Sequence, residues 1–316
     1  MKPQTLQDAV KYFADPENCM KWLVAKRWPD GVPMCPQCGR GDATYLPHLQ
    51  KWQCKSAHKS RQFSARVGTI FEDSPIALEK WLVALWMACN CKNGISSWEI
   101  HRTIGVTQKS AWFMLHRIRL AMRSGSLMKI GGPGSTVEAD ETVIGGKLKF
   151  MHKSRRDRMG LGLGDGYQKN KTMVMGVLDR DAHQAGRAPM EAMVRSHVEP
   201  GTTMMTDAHV GYDLLKNYFP HEVINHMEAY VKGKVHTNGI ENFWSLLKRG
   251  LNGTYISVEP FHLFRYVDEQ VFRYNYRKTK DRSLTDGDRF DLALSGVVGR
   301  RLTLAEVTGK AGETSL

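Results

Sequence analysis

The chain has 316 residues, a hydrophobic content of 41% and a formal net charge of +13, which fit a protein of two or three domains. Its longest uninterrupted apolar stretch, residues 81–89, is too short to span a bilayer, and the first residues lack the apolar core of a secretory signal. These features exclude a membrane protein and predict a cytoplasmic location. The six cysteines are therefore expected to bind metal or to be buried, because disulfides are rare in that compartment.

The positive charge is concentrated in three segments. Residues 31–66 carry +5, residues 92–129 carry +6 and residues 147–171 carry +6, while the rest of the chain is mildly negative. A strongly basic chain attracts polyanions. Ordinary solvated faces also carry charge, but three separate basic segments favour nucleic acid as the partner.

The first 30 residues are predicted to form an N-terminal helix. Apolar residues recur with helical spacing over residues 5–28, and Pro29, Gly31 and Pro33 then break the pattern. A compact segment rich in Cys, Lys and Gln follows and is assigned to residues 31–70.

This second segment contains a metal-ligand pattern. Cys35 and Cys38 are two residues apart, and Cys54 and His58 follow after an intervening stretch. Four ligands that leave no open position are typical of a structural Zn²⁺ rather than a catalytic one. The sequence therefore predicts a zinc ribbon with one Zn²⁺, in which His48 is the alternative to His58 as fourth ligand.

Residues 74–129 are predicted to form a helix-turn-helix DNA-binding domain. Ser96, with Glu99 three residues later, is typical of a helix start. A turn at Gly105 separates this helix from a second one that Thr107 caps. A plain helical hairpin is the alternative interpretation.

Polar and basic side chains of the two N-terminal modules are expected to contact DNA. The second helix of such a motif places its N-terminal residues at base edges, and lysines and arginines elsewhere contact phosphates. The predicted base-reading residues are Gln108, Lys109 and Ser110, and the predicted phosphate contacts are Lys55, Lys59, Arg61, Arg117 and Arg119.

Residues 130–280 show a mixed α/β pattern after a Gly-rich linker. Asp140 lies within a predicted strand, Asp207 follows a second short strand, and Glu241 lies in a predicted helix, with Lys248 two turns later. Three carboxylates on such elements can converge on a pair of divalent cations, because hard cations prefer oxygen ligands. Two metals can support an in-line phosphoryl displacement.

The predicted elements of this region follow in chain order. Strands are predicted at 136–144, 172–178, 203–206 and 222–225, and helices at 189–198, 212–218, 239–249 and 260–274. Residues 147–171 are predicted to form a basic loop that could hold DNA. Residues 281–316 show a weak pattern and are assigned to a C-terminal tail.

Several phrases of the chain resemble one family. VEADETVIGGK, MMTDAHVGY and HTNGIENFWSLLKRG, together with CPQCG, QFSARVGTIFEDSPI and GVTQKSAWFMLHRIRLAM, are similar to the insertion-sequence transposases of the ISXO type, which are related to Merlin elements. The resemblance covers roughly residues 15 to 280 and implies a ribonuclease-H-like core. It also implies a DDE set of Asp140, Asp207 and Glu241 with Lys248, in which Asn238 is the alternative third ligand.

The resemblance completes the expected fold and function. The chain is expected to be a multidomain α+β protein with a zinc ribbon, a helix-turn-helix domain and a ribonuclease-H-like α/β catalytic domain. It would bind the terminal inverted repeats of an insertion sequence and then cleave and join double-stranded DNA. It would use two Mg²⁺ ions, with Mn²⁺ as a substitute, and would act in the nucleoid as a homodimer or higher oligomer. A DNA-binding regulator and a structure-selective nuclease with the same core are the alternatives.

Overall fold

The computed structural model describes residues 3–123, 129–146, 148–162, 171–180, 184–188, 194, 197–208, 210–224, 236–279 and 282–310. The chain divides into two compact units. Unit 1 comprises residues 1–123 and 276–316, and unit 2 comprises residues 124–275. Within the described ranges, no helix is long and apolar enough to cross a membrane.

Unit 1 combines helices with a small antiparallel sheet. Its described helices are α1 (Leu6–Phe13), α2 (Pro16–Arg27), α3 (Leu78–Asn90), α4 (Ser97–Ile104), α5 (Gln108–Met122), α9 (Asp286–Ser295) and α10 (Leu304–Thr308). Its strands are β1 (Thr44–Leu46), β2 (Lys51–Gln53) and β3 (Gln62–Phe63), in the order β1-β2-β3. The sheet holds the segment that carries the predicted zinc ligands.

The prediction of a single helix over residues 5–28 is wrong, because the chain turns between α1 and α2. Asp15 adopts an extended conformation with φ −88° and ψ 115°, and its side chain accepts a hydrogen bond from the Glu17 N–H. Pro16 is responsible, since a proline disfavours the helical conformation of the residue before it and is well tolerated at the first helical position. The break creates the N-cap of α2.

Residues 276–316, which the sequence pattern sets apart as a tail, belong to unit 1. Phe290 of α9 is buried and places its ring centroid 5.4 Å from that of Phe13, 5.5 Å from that of Trp22 and 5.2 Å from that of Trp86. These rings come from α1, α2 and α3. The C-terminal segment therefore supplies part of the same core as the N-terminal helices.

Unit 2 is built on a mixed five-stranded sheet in the order β6-β5-β4-β7-β8. Strand β5 is antiparallel to both β4 and β6, whereas β7 runs parallel to β4 and β8 parallel to β7. The strands are β4 (Thr136–Ile144), β5 (Thr172–Asp179), β6 (Gln184–Ala188), β7 (Thr203–Asp207) and β8 (His221–Ile224), and the described helices are α6 (Lys153–Arg158), α7 (Asn238–Arg249) and α8 (Leu263–Asn275).

Differences from the predicted elements are local. Strand β6 and helix α6 were not predicted, and the segment predicted as a helix at 212–218 is a 3₁₀ helix, Val210–Asn217. The helix predicted at 189–198 lies mostly outside the described residues. Of the basic loop at 147–171, the structure describes residues 148–162 and 171.

The two faces of the sheet are covered by different elements. On one face, Val137 and Ala139 of β4 pack with Tyr212, Leu215 and Phe219. Successive side chains of a strand point to opposite faces, so Glu138 and Asp140 face the other layer. That layer is formed by α7 and α8; the buried residues of α7 are Ile240, Phe243, Trp244 and Leu247. Their i, i+3, i+4, i+7 spacing gives α7 one apolar stripe toward the sheet.

Candidate active site

The predicted zinc ligands come together in unit 1. One ligand atom from each of Cys35, Cys38, Cys54 and His58 lies within 4.8 Å of the others. The Cys35 Sγ is 3.4 Å from the His58 Nε2, and the Cys38 Sγ is 3.5 Å from the Cys54 Sγ. Three thiol sulfurs and one imidazole nitrogen are a donor set that fits a closed structural Zn²⁺.

The structure also decides between the two histidines considered for this cluster. His48 lies exposed in the short 3₁₀ helix Pro47–Leu49 and is not part of the ligand group, whereas His58 is. Around the second pair of ligands, Lys55, Lys59 and Arg61 are exposed. Their positions at the surface are those that a phosphate contact requires.

The predicted helix pair is present as α4 and α5, joined through Gly105. The Ser96 side chain caps α4 in a capping box with Glu99, and the Thr107 side chain caps α5. At the start of α5, Lys109 is exposed. The Gln108 side-chain amide donates to the Ser97 hydroxyl over 2.8 Å, so it braces α5 against α4.

Two arginines predicted to contact phosphates are instead buried in unit 1. Arg117 is 5% exposed and donates from Nε to the Leu302 carbonyl over 2.9 Å and from Nη1 to the Ile70 carbonyl over 2.9 Å. Arg119 is 2% exposed. The prediction is therefore wrong for both residues, because their side chains are enclosed by unit 1. Arg117 joins α5 to the C-terminal segment.

Asp140 and Asp207 occupy corresponding positions on neighbouring parallel strands. The register of β4 and β7 pairs Val137 with Met204 and Glu138 with Met205, where the pairing of these strands ends. Two residues further along each strand lie Asp140 and Asp207, so both carboxylates point to the α7 side of the sheet. The two acids are close enough to interact, because the negative charge of Asp207 is one of the causes that raise the pKa of Asp140.

The carboxylate of Asp140 is held by two N–H donors. The Glu141 backbone donates to Oδ1 over 2.8 Å, and the Trp244 Nε1 donates to Oδ2 over 3.0 Å. Burial, followed by the negative charges of Asp207 and Glu141, raises the pKa of Asp140 to about 6. A partly buried acid beside a second acid is electrostatically unfavourable without a cation, and its oxygens are ligands that Mg²⁺ prefers.

The remaining predicted catalytic residues lie along α7. Asn238, Glu241 and Lys248 are exposed, and the Glu241 Oε1 accepts a hydrogen bond from the Thr237 hydroxyl over 2.8 Å. In the part of the chain that the structure describes, the Cys–His cluster is the one group with three or more ligand atoms within 4.8 Å of one another. Asp140, Asp207 and Glu241 thus lie on packed elements without forming so tight a group.

Glu138 attaches the N-terminal end of α7 to β4. It is 1% exposed, and its Oε2 accepts a hydrogen bond from the Ile240 N–H over 2.8 Å while its Oε1 accepts from the Arg180 Nε over 2.6 Å. The Arg180 guanidinium also contacts the Nδ1 of His236 at 2.8 Å. A helix N-terminus carries unsatisfied N–H groups and a partial positive charge, so a carboxylate is a favourable partner there.

Sequence reasoning missed the residues that hold the site together. The site residues predicted from the sequence include none of Glu138, Trp244 and Gly176. The alternation of β4 does place Glu138 and Asp140 on one face. No local signal identifies their partners, because Ile240 and Trp244 follow about a hundred positions later.

Comparison with known proteins agrees with this organisation. Residues 130–275 match the ISXO2-like transposase domain, nearly the whole of unit 2, and residues 14–60 match the transposase zinc-ribbon domain. A Halobacterium salinarum protein, described as an uncharacterized protein in transposable element ISH50, is 28% identical over 261 residues, covering 77% of this chain and 85% of the relative. No solved structure is significantly similar to the chain. The resemblance seen in the sequence is therefore confirmed: the chain carries an N-terminal transposase zinc ribbon followed by an ISXO2-like transposase domain.

Proposed function

We propose that this transposase binds the terminal inverted repeats of an insertion sequence, cleaves the DNA at those ends and joins them to target DNA. The observation that carries the proposal is that Asp140 and Asp207 each lie two residues beyond the last register pair, Glu138 and Met205, of the parallel strands β4 and β7. Helix α7, which bears Glu241, packs over the same side of the sheet. The antiparallel strands β4, β5 and β6, extended by the parallel strands β7 and β8, support a ribonuclease-H-like core.

The donor set fits divalent cations. Asp140, Asp207 and Glu241 would hold Mg²⁺, two ions in all, with Mn²⁺ as a substitute. Asn238 is the alternative to Glu241, although a carboxylate binds Mg²⁺ more strongly than an amide. When bound, a pair of such ions activates the attacking oxygen and stabilises the leaving oxygen of an in-line displacement.

The chain's own residues position the DNA for this reaction. In the first step, water attacks phosphorus, the bond between phosphorus and the 3′ oxygen breaks, and a free 3′-hydroxyl results. In the second step, that hydroxyl attacks a target phosphodiester and displaces the target's 3′ oxygen, so one phosphodiester replaces another. Lys248 is exposed two turns after Glu241, where its ammonium group would hold a phosphate near the carboxylates.

Recognition of the element ends belongs to unit 1 in this proposal. The α4–α5 pair acts as a helix-turn-helix that presents Gln108, Lys109 and Ser110 to base edges. The exposed Lys55, Lys59 and Arg61 of the zinc ribbon contact phosphates. Because two element ends react together, we expect a homodimer or larger assembly on DNA.

A strand-transfer assay tests the proposal. Purified protein, Mg²⁺ and a labelled terminal-repeat duplex are incubated with a plasmid, and the variants Asp207→Asn and Glu222→Gln are compared. Glu222 is a matched control because it is an exposed carboxylate on β8, the strand next to Asp207. Joined product with the native chain and with Glu222→Gln, but not with Asp207→Asn, supports the proposal.

The other outcomes identify the alternatives. Cleavage without joining would indicate a structure-selective nuclease, and tight binding without either reaction would indicate a DNA-binding regulator. Glu241→Gln and Asn238→Ala, measured in the same assay, assign the third ligand, since only loss of the true ligand abolishes cleavage at saturating Mg²⁺.

A further inference from the structure

We propose that Trp244 is a positioning residue: its indole N–H fixes the carboxylate of Asp140 in the orientation that binds the divalent cation. This inference rests on the proposed function of the Asp140 site. It assigns a specific task to a tryptophan in the apolar stripe of α7 that the family match and the sequence pattern leave without a role.

The hydrogen bonds of Asp140 carry the first step. Among the described residues, each carboxylate oxygen accepts one N–H: Oδ1 from the Glu141 backbone over 2.8 Å and Oδ2 from the Trp244 Nε1 over 3.0 Å. The backbone donor alone leaves the carboxylate free to swing about its own bond. A second donor on the other oxygen removes that freedom and leaves the remaining lone pairs of both oxygens for a cation.

The sheet is shaped to admit this indole. Gly176 of β5 is the register partner of Asp140. A Cβ at Gly176 would lie 2.8 Å from Cζ2 and 2.9 Å from Cη2 of Trp244, and 3.0 Å from Cδ1 of Ile240. Those distances are below normal van der Waals contact, so the ring occupies the space that only a glycine leaves.

A second contact fixes the position of α7 along the direction of β4. Glu138, two residues before Asp140, accepts the Ile240 N–H over 2.8 Å. A Cβ on Gly239 would lie 2.9 Å from Glu138 Oε2, so the helix end approaches as closely as a glycine allows. Glu138 and Asp140 therefore bind the helix at two points about one turn apart, Ile240 and Trp244, and Glu241 lies between these points.

The Trp244 ring is buried, so its N–H cannot rely on water as a hydrogen-bond partner. Trp244 is 5% exposed and its ring centroid is 5.1 Å from that of Phe243. A buried indole needs a hydrogen-bond acceptor, and a neutral carbonyl would satisfy that need. Here the acceptor is instead the carboxylate that the proposed reaction requires. Partners of metal ligands that supply such hydrogen bonds contribute about 10- to 100-fold in metal affinity or activity.

The test measures Mn²⁺ binding to the full chain loaded with zinc, by electron paramagnetic resonance, for the native protein, Trp244→Phe and Phe243→Leu. Trp244→Phe retains a buried ring but has no N–H. Phe243→Leu alters the packing of the same helix at a residue whose side chain has no hydrogen-bond donor to offer Asp140. We expect the Mn²⁺ dissociation constant to rise about tenfold or more in Trp244→Phe and to stay within about twofold of native in Phe243→Leu.

Nuclear magnetic resonance of the indole N–H groups supplies a readout that does not depend on metal. The Trp244 signal, identified by its absence in Trp244→Phe, should shift in Asp140→Asn and stay in place in Glu222→Gln. A native Mn²⁺ constant in Trp244→Phe, or an equal rise in Phe243→Leu, would overturn the positioning role while leaving the proposed function intact. A native protein that binds no Mn²⁺ even with terminal-repeat DNA would refute the proposed function and the positioning role together.

Discussion

Replacing Gly176 with alanine should destabilise unit 2 by an amount that the structure allows us to work out. The new methyl group would lie 2.8–3.0 Å from the Trp244 and Ile240 side chains, both of which are buried between α7 and the sheet. Overpacking of this kind costs about 1–3 kcal/mol. Alanine recovers roughly 0.5–1 kcal/mol of backbone entropy relative to glycine. The net loss therefore lies between about 0 and 2.5 kcal/mol, with a midpoint of about 1 kcal/mol.

Differential scanning calorimetry of the full chain measures this loss. For a unit of this size, 1 kcal/mol corresponds to about 2–4 °C in Tm, so the midpoint of the estimate predicts that the unit 2 transition falls by about 2–4 °C. Gly253→Ala is the matched control, because no described residue other than its chain neighbours has an atom within 4 Å of a Cβ at that position and alanine favours helical structure. Its Tm should be unchanged or slightly higher.

A double-mutant cycle shows whether the loss arises from the indole. Trp244→Phe shortens the ring and should relieve part of the clash in Gly176→Ala, which gives a coupling energy of about 0.5–3 kcal/mol. If Gly176→Ala has native stability, or if the two effects are additive in the double variant, then the Trp244 ring does not require a glycine at position 176.

Three further predictions follow from unit 1 and from the charges of the site. His58→Ala should lose the single Zn²⁺ per chain, as measured by elemental analysis, while His48→Ala retains it, because only His58 belongs to the ligand group. The pKa of Asp140, raised by burial to about 6, exceeds its unfolded value of about 4; its stabilising contribution is therefore full below that unfolded pKa and lost as pH rises through about 6. Addition of Mg²⁺ should consequently raise Tm more at pH 8 than at pH 5, and an equal rise at both would contradict this. Arg117→Lys should lower the Tm of unit 1 without changing the salt dependence of DNA binding. Lys109→Ala should weaken DNA binding; if Lys109 contacts a phosphate, the slope of log affinity against log salt concentration should also fall by about one.

The sequence was sufficient where the deciding interactions are local. The apolar pattern that predicts a strand over residues 136–144 matches the observed β4. The spacing of Cys35, Cys38, Cys54 and His58 is enough to predict the zinc cluster, because the distance between ligands along the chain restricts which of them can meet. Capping boxes such as that of Ser96 and Glu99 are equally local, so the start of α4 could be read directly.

The sequence was insufficient to predict contacts whose two partners lie far apart along the chain. Helical periodicity cannot distinguish an arginine that faces DNA from one that faces another protein segment, and Arg117 binds carbonyl groups of Ile70 and Leu302, 47 and 185 positions away. The same limit applies to Trp244, whose acceptor Asp140 lies 104 positions earlier. Which buried polar side chain meets which donor depends on the tertiary fold, and no pattern within one element contains that information.

The placement of Phe290 among Phe13, Trp22 and Trp86 has a consequence for synthesis. The ribosome synthesises all of unit 2, residues 124–275, before it reaches α9. Helices α1, α2 and α3 therefore lack the Phe290 ring of their shared core until that late stage of synthesis. Contacts of such long sequence separation form late and slowly. A nonsense mutation near position 285 would therefore keep Asp140, Asp207 and Glu241 but remove α9 from unit 1. We expect such a truncated chain to lose the folded structure of unit 1 before that of unit 2.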